Sequence, residues 1–306
     1  MNFIHLLFVP FTGLGLYGGF RGKRWLTRRI QIFKNFVLPS LQGQTRKEFT
    51  VWMQWRKQEE YSPIVNEFRA FLDKVIGMRF VHTFGGITIW DDKFSDKDAE
   101  KKLLESLKKS LPDLKSTIGD AQWIYLTCQP SDDLYSRNAI REIQDTFEKT
   151  EFKTNTAVGY KQGYIINYAT KELKEYNPET LPPFSTIAYP RDVFLDPRSH
   201  YIYSGPYRSH EEVEKCFKFI TIPGRGFMVG THGSNISTTF IHPYAGKELL
   251  GDEKDGVLHK FSVYYSDRIY HHKGIRLYGR VIINLLPRPL HNLIKWGYHT
   301  LRAKFL

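Results

Sequence analysis

Asp132 and Asp133 stand side by side where a short apolar run, residues 121–127 (AQWIYLT), gives way to the polar string Cys128-Gln129-Pro130-Ser131. Two adjacent carboxylates just past a buried strand present hard oxygen atoms, the ligands that Mg²⁺ and Mn²⁺ prefer. The same pair also fits a turn that caps the next helix, because Asp side chains bond readily to nearby backbone N–H groups. His232 lies in Gly-Thr-His-Gly-Ser-Asn, a turn composition that exposes side chains and backbone N–H groups; a lone loop histidine is otherwise inert. Gly13, Gly15, Gly18, Gly19 and Gly22 precede Lys23 and Arg24 and surround Arg21. Such a loop offers charge and backbone N–H groups to a diphosphate, or is a surface loop with solvated charges. Its spacing is not that of a P-loop.

The elements that must position these residues follow from periodicity. Leu26, Ile30, Phe33, Val37 and Leu41 recur at three- and four-residue spacing, which predicts a helix over 24–42 with one apolar face. Pro39 predicts a kink or fresh turn within it. Apolar runs at 3–11 and 49–55 flank it as strands, so the three form a β-α-β unit and a parallel sheet. Ser62-Pro63 marks a helix start, residues 78–89 read as extended, and Leu103, Leu104, Leu107 and Leu111 punctuate a charged helix. Ser136 is placed to cap a helix carrying Ile140, Ile143 and Phe147. Residues 159–168 read as a hairpin around Lys161-Gln162-Gly163.

With those elements in place, a longer pattern emerges: Trp25, Arg28, Arg29, Phe33, Phe36, Pro39, Ser40, Leu41, Gln44, Thr45, Phe49 and Trp52, spaced W-x-x-R-R-x-x-x-F-x-x-F-x-x-P-S-L-x-x-Q-T-x-x-x-F-x-x-W. Ser131-Asp132-Asp133-Leu134-Tyr135 and His232-Gly233-Ser234-Asn235-Ile236-Ser237 follow in order, with His210 upstream of the latter. From about residue 3 to about 240 the chain resembles the rhamnosyltransferase family of GT-A-type glycosyltransferases. The resemblance implies an α/β, GT-A-like (Rossmann-like) fold: a mixed, mainly parallel sheet flanked by helices. It implies a nucleotide-diphosphate sugar as donor, rhamnose or a similar hexose, and a surface glycan as acceptor. Donor contacts fall on Thr12, Arg21, Arg28, Asp132, Asp133, His232 and Asn235, with Mg²⁺ or Mn²⁺ held by Asp132, Asp133 and His232. Transfer needs a base for the acceptor hydroxyl, usually a carboxylate or histidine. Asp133, His210 and Asp196 are the catalytic candidates, with Asp192, Glu211 and Glu212 as further bases.

The departures from the family pattern matter as well. Pro130 takes the first acidic place of Asp-x-Asp-Asp, Pro10 stands where the first strand typically ends in Arg, and the acidic residue expected soon after Trp52 is missing from Gln54-Trp55-Arg56-Lys57. These changes imply altered donor contacts, a metal-independent variant or lost activity. The alternative to a transferase is therefore a GT-A-shaped protein that binds glycan or nucleotide without transfer.

Composition is that of a globular enzyme-sized chain: 306 residues, 41% hydrophobic and 15% aromatic. Two cysteines provide no disulfide framework, as expected of a reducing compartment. The net charge of +12 is unevenly placed. Residues 1–47 hold eight Lys/Arg and no Asp/Glu, and so do residues 268–306. The division expected is a glycosyltransferase domain over 1–267 and a basic C-terminal helical extension over 268–306. Within the extension, Arg288, Lys295 and Arg302 lie opposite Leu290, Leu293, Ile294, Leu301 and Phe305. A basic amphipathic helix of this kind either packs on its own domain or meets an anionic membrane surface through residues 279–306. No Lys or Arg precedes the apolar stretch 3–20, so it does not read as a signal peptide, and 3–11 within it reads as the first strand. The expected location is cytoplasmic, peripheral at the inner face of a membrane, with no nucleic-acid partner.

Overall fold

The computed structural model describes residues 2–12, 23–86, 96–150, 156–196, 213–232, 235 and 240–264. The described strands are β1 (Phe3–Val9), β2 (Thr50–Arg56), β3 (Arg79–Gly86), β4 (Trp123–Cys128), β5 (Leu134–Tyr135), β6 (Thr156–Asn167), β7 (Leu173–Tyr176), β8 (Thr186–Pro190), β9 (Lys218–Thr231) and β10 (Ala245–Glu248). The α-helices are α1 (Lys23–Ile32), α2 (Leu38–Gln42), α3 (Pro63–Leu72), α4 (Asp96–Ile118), α5 (Ala139–Lys149), α6 (Arg191–Leu195), α7 (Val213–Cys216) and α8 (Gly251–Lys260). All strands belong to one mixed sheet, with the path β10-β7-β6-β8-β4-β1-β2-β3 and with β9 pairing β6 and β5. The expected α/β class, a mixed sheet flanked by helices, is what the chain forms.

Parallel pairing governs the N-terminal half: β1 lies between β2 and β4, and β2 pairs β3, all in parallel. Beyond β4 the direction reverses at β8, and β8, β6, β7 and β10 pair antiparallel, while β9 runs parallel to β6. Burial on both faces explains why β1 is apolar at every position but His5. Leu7 and Val9 join Ile30, Phe33, Val37, Ile143 and Phe147 on one side. Leu6 and Phe8 join Trp52, Leu111, Leu114 and Ile118 on the other.

The β-α-β unit stands close to its expected bounds. Its helix runs without a break from Lys23 to Gln42, but Phe33–Val37 between α1 and α2 is wound as a π-helix. Pro39 has no N–H to give to the carbonyl four residues back, and its ring crowds that carbonyl in a regular helix. The wider turn just before it relieves both, so the expected kink takes the form of a π-bulge.

Two local readings are corrected. Residues 159–168 do not turn back at Gly163; 159–167 belong to the single long strand β6, whose register with β9 shifts between Tyr160, Gln162 and Gly163. Gly163 is there because a Cβ would enter the ring of Phe227 on β9. Nor does the Ser136 side chain cap α5: the N-cap position is Asn138, with no side-chain cap bond. The basic extension 268–306 lies outside the described residues. No helix among the described residues is long and apolar enough to cross a membrane.

Candidate active site

The carboxylate loop grows out of β4 and is held from three directions. Gln129 continues the sheet, its N–H donating to Phe8 O at 2.8 Å. Its buried side chain then turns along the loop, Nε2 donating to Asp133 O at 2.7 Å and to Pro130 O at 3.1 Å. After the loop, β5 pairs β9 at Leu134–Met228 and Tyr135–Phe227. The helix of the β-α-β unit closes the third side. Ser40 Oγ donates to Tyr135 O at 3.0 Å and accepts the Tyr135 N–H at 3.1 Å. Gln44 Nε2 donates to Ser136 O at 2.9 Å while its Oε1 accepts the Ile140 N–H at 3.1 Å, satisfying an orphan donor in the first turn of α5. The Pro-Ser-Leu-x-x-Gln-Thr string is therefore the clamp of the carboxylate loop.

Asp132 is the centre of the cluster, and its Oδ2 carries the contacts to Arg29, His232 and Asn235. Arg29 Nη1 donates to Oδ2 from α1. His232 Nε2 lies 3.0 Å from the same atom and Asn235 Nδ2 donates to it at 3.2 Å. Asn235 also receives the His232 N–H on Oδ1 at 2.7 Å and donates to Gly230 O at 2.6 Å, so the two residues brace each other at the end of β9. The Asp132 carbonyl accepts the Tyr168 hydroxyl at 2.8 Å, and that ring stacks on Phe36 with centroids 3.9 Å apart. Arg29 is only 5% exposed, and its guanidinium lies 5.1 Å from the Trp25 ring centroid. Asp133 turns away and accepts the Gly230 N–H on Oδ1 at 2.8 Å.

Electrostatics separates the two carboxylates. Burial by itself raises the Asp132 carboxyl, but the Arg29 charge and the His232 hydrogen bond outweigh it and hold it down at about 2. Asp133 is pushed well above the carboxylate range, first by burial and then by the charge of Asp132, against the pull of the Gly230 N–H. Burial and then the Arg29 charge lower His232 to about 4, so its ring is neutral at pH 7.

A second knot lies at the carboxyl ends of β1 and β2. Thr12 Oγ1 donates to Glu59 Oε2 and accepts the Arg56 N–H at 3.1 Å. The Arg56 guanidinium donates to Glu59 Oε1 at 2.8 Å. Glu59 is thus a buried carboxylate close behind β2, a little later in the chain than the expected position after Trp52.

The structure brings together Asp132, Asp133, His232 and Asn235 and places Thr12 on the same edge of the sheet. Arg28 is one helical step from this cluster, half-buried, while its neighbour Arg29 turns inward. Arg21 and His210 lie outside the described residues. Asp196 lies apart from the cluster. It follows α6 at the far end of β8, and Pro190 of β8 pairs with Trp123 at the start of β4. Because β8 runs against β4, Asp192 and Asp196 sit at the amino edge of the parallel strands, the opposite edge from the carboxylate loop. Arg29, Glu59 and Gln129 are the site residues that sequence reasoning missed. Arg29 had a signal: it falls among Trp25, Leu26, Ile30 and Phe33 on the apolar face, where an arginine must find a partner.

The expected metal set does not fit. Asp132 Oδ2 is engaged by the Arg29 guanidinium, His232 Nε2 and Asn235 Nδ2, and Asp133 Oδ1 accepts the Gly230 N–H. Among the described residues, no group of three or more His, Cys, Asp or Glu is arranged to hold a metal ion.

No family model and no curated protein matches this chain. Among solved structures, S. aureus TarS is similar over 76% of this chain at 10% sequence identity and a TM-score of 0.32. The match covers 37% of TarS, so the chain spans well under half of that protein's length. A likeness of this size carries no argument about activity.

Proposed function

We propose that the chain is a GT-A-type glycosyltransferase that moves a sugar from a nucleotide-diphosphate donor to a hydroxyl of a growing surface glycan. One observation carries the reading. The carboxylate loop, its partners and the Thr12–Glu59–Arg56 knot gather at the carboxyl edge of parallel strands β1, β2 and β4, where open α/β sheets take ligands. The residues that carry the family resemblance are the ones that clamp this edge. Rhamnose or a similar hexose as the sugar rests on the resemblance alone, as does the acceptor.

In such a transfer the acceptor oxygen bonds to the anomeric carbon, the bond from that carbon to the diphosphate breaks, and the acceptor proton passes to a base. Negative charge grows on the leaving diphosphate. Lys23 and Arg24, exposed at the first turn of α1, and Arg21 before them are the cations proposed to meet it. Asp132, His232 and Asn235 form a rigid donor-side wall, and Thr12 and Arg28 complete the donor contacts. His210, with Glu211 and Glu212 beside it, is the proposed base. We retain the division at residue 268, with the basic extension resting on an anionic membrane surface. A second reading, binding of nucleotide or glycan without transfer, is favoured by Asp132 and Asp133 both being engaged within the protein.

Calorimetry with UDP-, GDP- and dTDP-sugars tests the proposal. One donor is expected to bind, and Asp132→Ala/Asp133→Ala to weaken it by about tenfold or more, equivalent to about 1.4 kcal/mol. A folded protein that binds none of them overturns the reading. A bound donor that is never consumed with any glycan acceptor supports the binding protein instead.

A further inference from the structure

We infer that Arg29 stands in the place of a divalent cation, so that this site takes its nucleotide-diphosphate donor without Mg²⁺ or Mn²⁺. The inference rests on the transferase reading for its ligand, and on the cluster's own geometry for the exclusion of metal. Asp132 Oδ2 faces the guanidinium of Arg29, His232 Nε2 and Asn235 Nδ2 together. A cation approaching that oxygen must displace the guanidinium or crowd against a fixed positive charge. Displacement is opposed by burial: Arg29 is 5% exposed, Trp25 covers it, and a guanidinium torn from its carboxylate inside the protein has no water to meet it.

The other expected ligands lead to the same conclusion. His232 Nε2 is turned onto that same Asp132 oxygen at 3.0 Å. The Asp133 carboxylate is drawn toward β9 by the Gly230 N–H, and its main-chain carbonyl is taken by Gln129. Pro130 stands two residues before Asp132 and offers no side-chain oxygen. Arg29 is thus a positioning residue: it fixes Asp132 and, through it, His232 and Asn235. The donor's charge is left to the basic residues around the start of α1.

Mn²⁺ titration of the full chain, read by the EPR signal of free Mn²⁺, tests the exclusion directly, and calorimetry of the donor panel in EDTA and in Mn²⁺ tests its consequence. Wild type is expected to hold no stoichiometric Mn²⁺ below about 1 mM, at the weak end of protein cation sites. Donor affinity is expected to agree within about twofold in the two buffers, a difference of about 0.4 kcal/mol. Arg29→Met, which frees Asp132, is expected to gain Mn²⁺ binding of at least about tenfold, lost again in Arg29→Met/Asp132→Asn. One tight Mn²⁺ in wild type that disappears in Asp132→Asn overturns the inference, as does loss of donor binding in EDTA. If Arg29→Met does not fold, Asp132→Asn and Arg29→Lys decide: both are expected to leave wild-type Mn²⁺ behaviour unchanged, and a change in either overturns it. Absence of donor binding in both buffers counts against the transferase reading alone, since the Mn²⁺ titration decides the exclusion without a donor.

Discussion

Replacing Arg29 by Met tests whether the Asp132 cluster is held by a buried ion pair. The substitution keeps an unbranched chain against Trp25 and removes the charge. Breaking a buried pair from one side costs ~3–5 kcal/mol, because the other charge stays behind in a poor solvent. Asp132 would keep His232 Nε2 at 3.0 Å and Asn235 Nδ2 at 3.2 Å, which argues for the lower end, about 3 kcal/mol. Asp132→Asn strands Arg29 instead and should cost about as much. The double variant leaves neither charge uncompensated, so its cost should stay near about 3 kcal/mol and not reach about 6, a coupling of about 3 kcal/mol. Urea unfolding at pH 7 measures all four proteins, and equal slopes permit direct comparison of midpoints. Additive singles, or single costs under about 1 kcal/mol as for an exposed pair, would refute the reasoning. The sign of the pH dependence follows from Asp132 lying below its ordinary value of 3.8, at about 2. Its stabilisation is present above about pH 4 and is lost as pH falls toward about 2.

Three further outcomes are expected. His5 accepts on Nδ1 from Gln144 Nε2 at 3.1 Å and faces Thr127 Oγ1 through Nε2 at 2.8 Å, and burial, then the Arg46 charge, lower it to about 3. The unfolded chain therefore binds the extra proton first as pH falls below 6.5, and stability should drop by up to about 1.4 kcal/mol per pH unit on the way to about pH 3. Unfolding curves at several pH values should show a shallower decline for His5→Gln, and an unchanged slope would remove His5 as a cause. At Gly230 an added Cβ collides with the Asp132 carbonyl and the Tyr168 ring, so Gly230→Ala should cost about 1–3 kcal/mol and weaken donor binding. A wild-type melting temperature would show that the loop is not packed against β9. Gln44→Met should leave the Ile140 N–H without its acceptor at about 1–3 kcal/mol, and hydrogen exchange at Ile140 should speed up in the variant, with no change there if the clamp is absent.

Local pattern made the β-α-β unit legible, because a 3.6-residue apolar stripe between two buried runs admits few other folds. It also placed Asp132 and Asp133 just past a buried strand. What local pattern lacks is the partner across the fold. Arg29 pairs with a residue 103 positions away, Gln44 caps a helix 96 positions away, and Asp132 meets His232 at a separation of 100. None of these leaves a periodic trace, although an arginine on an apolar helix face announces that some partner exists. Strand direction is hidden for the same reason. Asp196 and Asp133 look equally placed in sequence, each close behind a short apolar run, yet β8 runs against β4 and carries its aspartate to the other edge of the sheet. Lys161-Gln162-Gly163 likewise looks like a turn until β9 is laid beside β6, when the glycine proves to make room for Phe227. The residue types were sufficient to propose a chemistry, whereas the pairing of Asp132 with Arg29 is visible only as tertiary contact.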